Sequence, residues 1–311
     1  MSTGLTVAVV GASGLSAEIG KKGTESDLRL YHHVREGHAL TLVEPINYPE
    51  RFPPLLQSLA LGDSALLVAD ALDRGFAEAA ATADLFPMPV RLVRGTGVGE
   101  EELRRSLRGL RFEHSAQLPR DAARLRALLD VESVTPRPGP TQVRLDHAFP
   151  VKGVGTVALG FVRAGTLRAH EALRLYPGPG LVEVRSIQVH DIDVKEAASG
   201  ERVGVALRGI EPEEVSRGSI LAPEGTLQAG RTLRVGKLRR GAYYRGALEA
   251  GKRFQALVGA QLAPTVLLEV DPTHWTLEFD RDVVWTPGET VVLADLNTSV
   301  GPRGAGSGTS E

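Results

Sequence analysis

The turn Gly11-Ala-Ser-Gly14 follows the apolar run Val7-Ala-Val-Val10. A glycine-rich turn between a buried strand and a helix can bring backbone N–H groups against a phosphate. The spacing Gly11-x-x-Gly14-x-x-Ala17 overlaps a dinucleotide-binding turn, and the second strand ends in Val43-Glu44, an acid placed to meet a ribose hydroxyl. No later stretch suits hydride transfer, so the turn alone does not specify NAD(P). Lys21-Lys22, just beyond it, reads either as an anion contact or as a solvated basic loop. A second group is basic: Arg231, Arg234, Lys237, Arg239, Arg240, Arg245, Lys252 and Arg253, with Tyr243 and Tyr244 among them. Cations interleaved with aromatics suit phosphate contact and base stacking. The plainer reading is a charged hairpin face in water.

Several chemistries are excluded. The chain has 311 residues and no cysteine, which rules out disulfides, Cys-ligated zinc, iron–sulfur clusters and thiol catalysis. The eight histidines lack metal-ligand spacing, and the adjacent His32 and His33 diverge on a strand or helix. No catalytic triad or carboxylate pair can be argued from residue order, so no metal and no cofactor is expected. The formal net charge of −2 means that a polyanion would need a local basic patch. The opening Met1–Val10 lacks a basic stretch ahead of a long apolar core, and no run reaches the ~18 apolar residues of a membrane span. A soluble cytoplasmic protein is expected, with neither membrane nor DNA as partner.

These residues need elements to position them. Residues 1–131 alternate buried strands (Val7–Val10, Ala39–Val43, Ala65–Ala69, Val90–Val93) with helices (Phe52–Leu61, Asp73–Ala83, Glu100–Leu107, Arg120–Leu129). That pattern predicts a parallel sheet covered on both faces. Residues 132–140, with three prolines in Thr135–Pro140, read as a stiff linker. Short β runs then fill 141–223 and 224–300 and predict two small antiparallel barrels. The Gly- and Ser-rich residues 301–311 read as a flexible tail.

The run Leu145-Asp-His-Ala-Phe-Pro-Val-Lys-Gly-Val-Gly-Thr-Val-Ala-Leu-Gly160 is similar to the opening of the second domain of translational GTPases. The likeness continues in order through Val184–His190, Gly200–Ile210 and Val215–Leu221. Residues 237–251, 258–264 and 284–293 resemble the third domain of SelB-like members. The whole chain therefore resembles an EF-Tu/SelB-type elongation factor: a P-loop-GTPase-like α/β domain followed by two β-barrels. On this reading Phe149 and Val157 have the parity of residues facing into the first barrel.

The resemblance implies a GTP site in residues 1–131, and each of its motifs departs from the family pattern. A P-loop needs Gly, Lys and Ser/Thr where this chain, counted from Gly11, has Ser16, Ala17 and Glu18. The cation is missing and a carboxylate replaces the hydroxyl that binds Mg²⁺. Lys22–Asp27 reads as a remnant of a mostly deleted switch I. Glu44-Pro-Ile-Asn-Tyr48 stands for Asp-x-Pro-Gly-His, leaving Glu44 able to hold a cation but Tyr48 unable to replace the histidine. Arg94-Gly-Thr-Gly97 offers guanine no acid, and Ser115-Ala116 is a slight remnant of the last motif. A pseudo-GTPase with no catalytic residue is expected, its degenerate P-loop marked by Gly11, Gly14, Ser16, Ala17 and Glu18.

The resemblance also implies an aminoacyl pocket in the second domain, at Asp146, His147, Phe149 and Arg202. The family histidine falls near Ala158, which puts selenocysteine specificity in doubt. The plainer reading of Asp146–Arg202 is a surface ion pair. The third domain is expected to contact RNA through Lys237, Arg239, Arg240, Tyr243, Tyr244, Arg245, Lys252 and Arg253. The partners implied are tRNA or the ribosome, with a protein docked on the α/β domain as a further possibility. The rivals are a working GTPase with divergent motifs and a protein-binding scaffold without RNA contact.

Overall fold

The computed structural model describes residues 3–12, 14–35, 38–132, 136–178 and 180–311. The α/β domain runs β1 (Thr3–Val10), α1 (Leu15–Ile19), β2 (Lys21–Glu25), β3 (Leu28–Arg35), β4 (His38–Pro45), α2 (Pro53–Leu61), β5 (Ser64–Ala69), α3 (Arg74–Ala83), β6 (Val90–Arg94), α4 (Glu100–Ser106), β7 (Gln117–Pro119) and α5 (Ala122–Asp130). The sheet order is β2-β3-β4-β1-β5-β6-β7. Strands β4, β1, β5, β6 and β7 are parallel, whereas β2 and β3 add an antiparallel edge. The apolar runs follow from helices on both faces: Val7–Val10 and Ala65–Ala69 are 0% exposed. Asp73 and Asp121 start α3 and α5 by accepting the N–H groups of Phe76 and Arg124.

The first β domain comprises β8 (Gln142–Val151), β9 (Gly155–Ala164), β10 (Thr166–Arg168), β11 (Ala172–Tyr176), β12 (Leu181–Val189), β13 (Ile192–Val194), β14 (Glu196–Ala198), β15 (Arg202–Arg208) and β16 (Ile220–Ala222). Its sheet, β11-β16-β8-β9-β15-β12-β13, curls round so that the first strand, β11, also pairs with β12. The second is a closed six-stranded barrel of β17 (Gln228–Arg240), β18 (Arg253–Val258), β19 (Gln261–Val270), β20 (His274–Trp285), β21 (Thr290–Ala294) and β22 (Gly304–Ser310). The expected architecture of an α/β parallel-sheet domain followed by antiparallel β domains is the observed one.

Two expectations are corrected. Residues 301–311 are not a flexible tail, because β22 pairs with both β17 and β21 and closes the barrel. Its small residues are needed there: a Cβ at Gly306 would come within 2.7 Å of the Trp275 ring, and one at Gly308 within 2.6 Å of Gly236 O. Phe149 and Val157 do not face the barrel core. The β8–β9 register shifts between Leu145 and His147, and the extra residue exchanges inward and outward positions. Val143 and Leu145 point into the core, Ala148 packs against it, and Phe149 lies half-buried outside it. Part of the expected linker, residues 133–135, lies outside the described residues.

Each β domain has a core of its own, and one further apolar cluster draws on all three domains. Phe161 of the first β domain and Leu257, Ala260, Val292 and Ala294 of the second join the cluster beneath α2 and α3. Gly4 of β1 lies so close to Gly200 that a Cβ there would be 2.0 Å from the Gly200 carbonyl. No helix of the described residues is long and apolar enough to cross a membrane.

Candidate functional site

The strand-to-helix turn that carries phosphate in a P-loop is contracted here. β1 ends at Val10, and α1 begins at Leu15 and spans five residues, with Gly14 as its N-cap. Ser13 of this turn lies outside the described residues. Gly11 takes φ +95, and a Cβ on it would meet Val68 O at 2.5 Å, so packing alone calls for glycine. The Ser16 N–H in the first turn of α1 donates to Glu44 Oε1 at 3.1 Å. Glu44 is 3% exposed. The carboxyl group at the end of β4 thus occupies the amide that would otherwise face an anion. One oxygen of Glu44, the residue expected to be able to hold a cation or meet a ribose, is already engaged. Glu18 is tied to Arg120 at 2.7 Å, and Arg120 to Asp70 at 3.2 Å, across the carboxyl ends of β5 and β7. Ala17 is exposed on α1. Tyr48 donates to Gly75 O at 2.6 Å, and Arg94 donates to Val98 O at 2.8 Å, so both remnants serve local structure.

A cleft of about 1210 Å³ lies between the α/β domain and the first β domain. Its walls are α1, β2 and β3 on one side and β8, β9, β12 and β15 on the other. Lys21 and Lys22 sit at its mouth, and Lys22 pairs with Glu25 at 2.7 Å. Phe149 lines it, and the exposed His147 ring rests 5.6 Å from the Phe149 ring. Arg202 also lines it, held bidentately by Asp146 at 3.1 and 3.3 Å. The two side chains are 8% and 6% exposed, so this is a buried pair and not a surface one. Arg202 also stacks over Phe161 at 4.8 Å. Asp146 is the residue at the register shift, which explains why a charged side chain can turn inward there.

Two histidines that sequence order did not connect meet in this cleft. His32 of β3 and His190 beyond β12 stand edge to face, 5.8 Å apart. Burial, together with the charges of Arg202 and His190, lowers the His32 pKa from 6.5 to about 4. Burial also lowers His190, against the opposing pull of Glu201 and Asp191. Both imidazoles are neutral near neutral pH. The His190 Nε2 is buried and, among the described residues, lacks a hydrogen-bond partner. The sequence placed His190 only at the end of the family-like run Val184–His190, and nothing in the order of residues pointed to His32.

The basic cluster of the third domain divides. Tyr244 is 4% exposed and donates to Asp295 Oδ2 at 2.7 Å, while Lys252 bonds both Tyr244 and Asp295. Arg239 is bound to Asp84 of the α/β domain, and the Tyr243 hydroxyl to the Arg108 carbonyl. The reading of Tyr244, Lys252 and Arg239 as free RNA contacts is corrected: they build the barrel and its seam with the α/β domain. Arg231 and Arg234 are exposed but paired with Asp282 and Glu311. Lys237, Arg245 and Arg253 are exposed, and Arg240, also exposed, lies over the Tyr244 ring at 5.5 Å.

The family model for elongation factor Tu domain 2 matches residues 155–222. An uncharacterized protein of Methanocaldococcus jannaschii is 32% identical over 97% of this chain and 99% of its own length. The selenocysteine-specific elongation factor of the same organism is 48% identical over 82 residues, 26% of this chain and 18% of that one. Among solved structures, the elongation factor SelB of Methanococcus maripaludis bound to the GTP analogue GppNHp superposes with a TM-score of 0.84. It is 22% identical, and the match covers 100% of this chain and 80% of that one. The order of domains, the matched second domain and these relatives agree: the chain belongs to the EF-Tu/SelB-type translation elongation factor family.

Proposed function

We propose that this member of the family holds the acceptor end of a tRNA in the cleft between its α/β domain and first β domain, without binding or hydrolysing GTP. The single observation that carries the second half of this reading is Glu44. Its buried carboxyl group takes the α1 amide that a phosphate would use, and a phosphate brought there would meet that negative charge. The contracted turn and the missing P-loop lysine support it. Without a γ-phosphate to order switch loops, the chain has one arrangement and acts as a chaperone, regulator or competitor of an active factor. The cleft supports the first half: it has room for a terminal nucleotide and an aromatic face in Phe149. Arg202 is already neutralised by Asp146, so the cleft suits an uncharged aminoacyl group better than an anionic one.

The test is filter binding of total tRNA at stated salt, alongside binding of labelled GTP. Binding to tRNA that weakens with salt and with Phe149→Ala is expected. Micromolar affinity for GTP, or hydrolysis stimulated by ribosomes, would overturn the nucleotide-free reading. Absence of tRNA binding at low salt would overturn the RNA reading.

A further inference from the structure

A second cavity, unrelated to the cleft, lies where all three domains meet. It measures about 470 Å³ and is lined by Asp63 of the α/β domain, Arg137 ahead of β8, Arg144 and Arg163 of the first β domain, and Glu289 of the second. Three guanidinium groups there face two carboxylates. Arg137 Nη2 and Arg163 Nη1 share Asp63 Oδ1, each at 3.2 Å, and Asp63 Oδ2 already accepts from the Thr6 N–H at 3.0 Å. Arg163 Nη1 also donates to Leu61 O, and Arg144 Nη2 donates to Glu289 Oε2 at 2.7 Å.

Each guanidinium is thus held by one nitrogen. The remaining side-chain N–H groups of all three make no hydrogen bond among the described residues. Arg144 is 9% and Arg163 13% exposed. Burial pulls the Arg163 pKa down to about 10; Asp63 opposes this, and the neighbouring charges of Arg144 and Arg137 add to it. Arg163 remains protonated near neutral pH. Gly259 leaves the space open, since a Cβ there would come within 3.0 Å of Arg144 Nη2.

We propose that this junction cavity binds a small multivalent oxyanion, a free phosphate or diphosphate, on the unused N–H groups of Arg137, Arg144 and Arg163. The planar fork of each guanidinium matches the oxygens of such an anion, and the excess of cations over carboxylates selects for negative charge. Because the cavity draws on all three domains, a bound anion stabilises their mutual arrangement by mass action.

The experiment follows thermal unfolding of the full chain with inorganic phosphate, diphosphate or AMP, ionic strength being balanced with chloride. A saturable rise in the midpoint with phosphate or diphosphate is expected. Arg144→Gln and Arg137→Gln should each weaken the apparent affinity by about tenfold, the loss of one charge-assisted contact. Arg137, 47% exposed, is the variant least able to disturb folding. A rise no larger than that with chloride, or one unchanged in Arg137→Gln, would overturn the site. A rise with AMP alone would overturn the free anion as its occupant.

Discussion

At the scale of single residues, Glu44 and His32 show how burial converts a polar side chain into a structural commitment. Glu44→Ala leaves the Ser16 N–H without its acceptor in a site closed to water. A loss of about 1–3 kcal/mol in urea unfolding is expected, with partial recovery in Glu44→Gln, whose amide oxygen can still accept. Neither variant should acquire GTP binding, because the P-loop lysine is absent; a variant that did would show that Glu44 alone had closed the site. His32 predicts a dependence on pH. Its folded pKa is depressed from 6.5 to about 4, so the unfolded chain binds more protons between those values. Its stabilising contribution is complete above the ordinary value and is lost as the pH falls through about 4. The shift corresponds to up to roughly 3 kcal/mol. His32→Phe should flatten the fall in stability across that window, and an unchanged profile would assign acid sensitivity elsewhere.

Between residues and the whole stand the elements, and there legibility was uneven. Strands β1, β4 and β5 were readable because burial on both faces makes their sequences largely apolar. The edge pair β2–β3 was not, since Lys21–Glu25 is mostly exposed and carries no period. Asp146 and Arg202 were legible through the family motif, but their burial was not, because it depends on a register shift that no residue type announces. The His32–His190 contact needs two domains to be docked, which order along a chain does not reveal. Strand β22 was misread because its Gly-Ala-Gly-Ser-Gly composition matches that of disordered segments. Its residues are small because β17 and Trp275 approach closely. Accordingly, ending the chain at Gly301 should open the barrel and expose Trp275, seen as a red-shifted tryptophan emission. Gly308→Val should do the same in milder form by clashing with Gly236 O. An unshifted emission in the truncated chain would mean that the other five strands hold the barrel without it.

The whole molecule is held by charged seams as well as by the shared apolar cluster. Arg303, just before β22, binds Glu78 of α3 at 2.5 Å and the Pro49 carbonyl at 2.7 Å, and stacks over Phe52 at 4.7 Å. Arg239 binds Asp84, which is 1% exposed. Both seams join the second barrel to the helices that follow β4 and β5, where a nucleotide-driven switch would need freedom to move. Removing one partner of such a pair strands a buried charge and costs about 3–5 kcal/mol. Arg303→Ala should therefore lower stability by about that amount and, with Arg239→Ala, split one unfolding transition into two as the α/β domain and the second barrel part. The intact chain should show one transition, and its small-angle scattering should be unchanged by GTP or GDP with Mg²⁺. A nucleotide-dependent change in its dimensions would mean that the seams open on demand, and the chain would then be a switch.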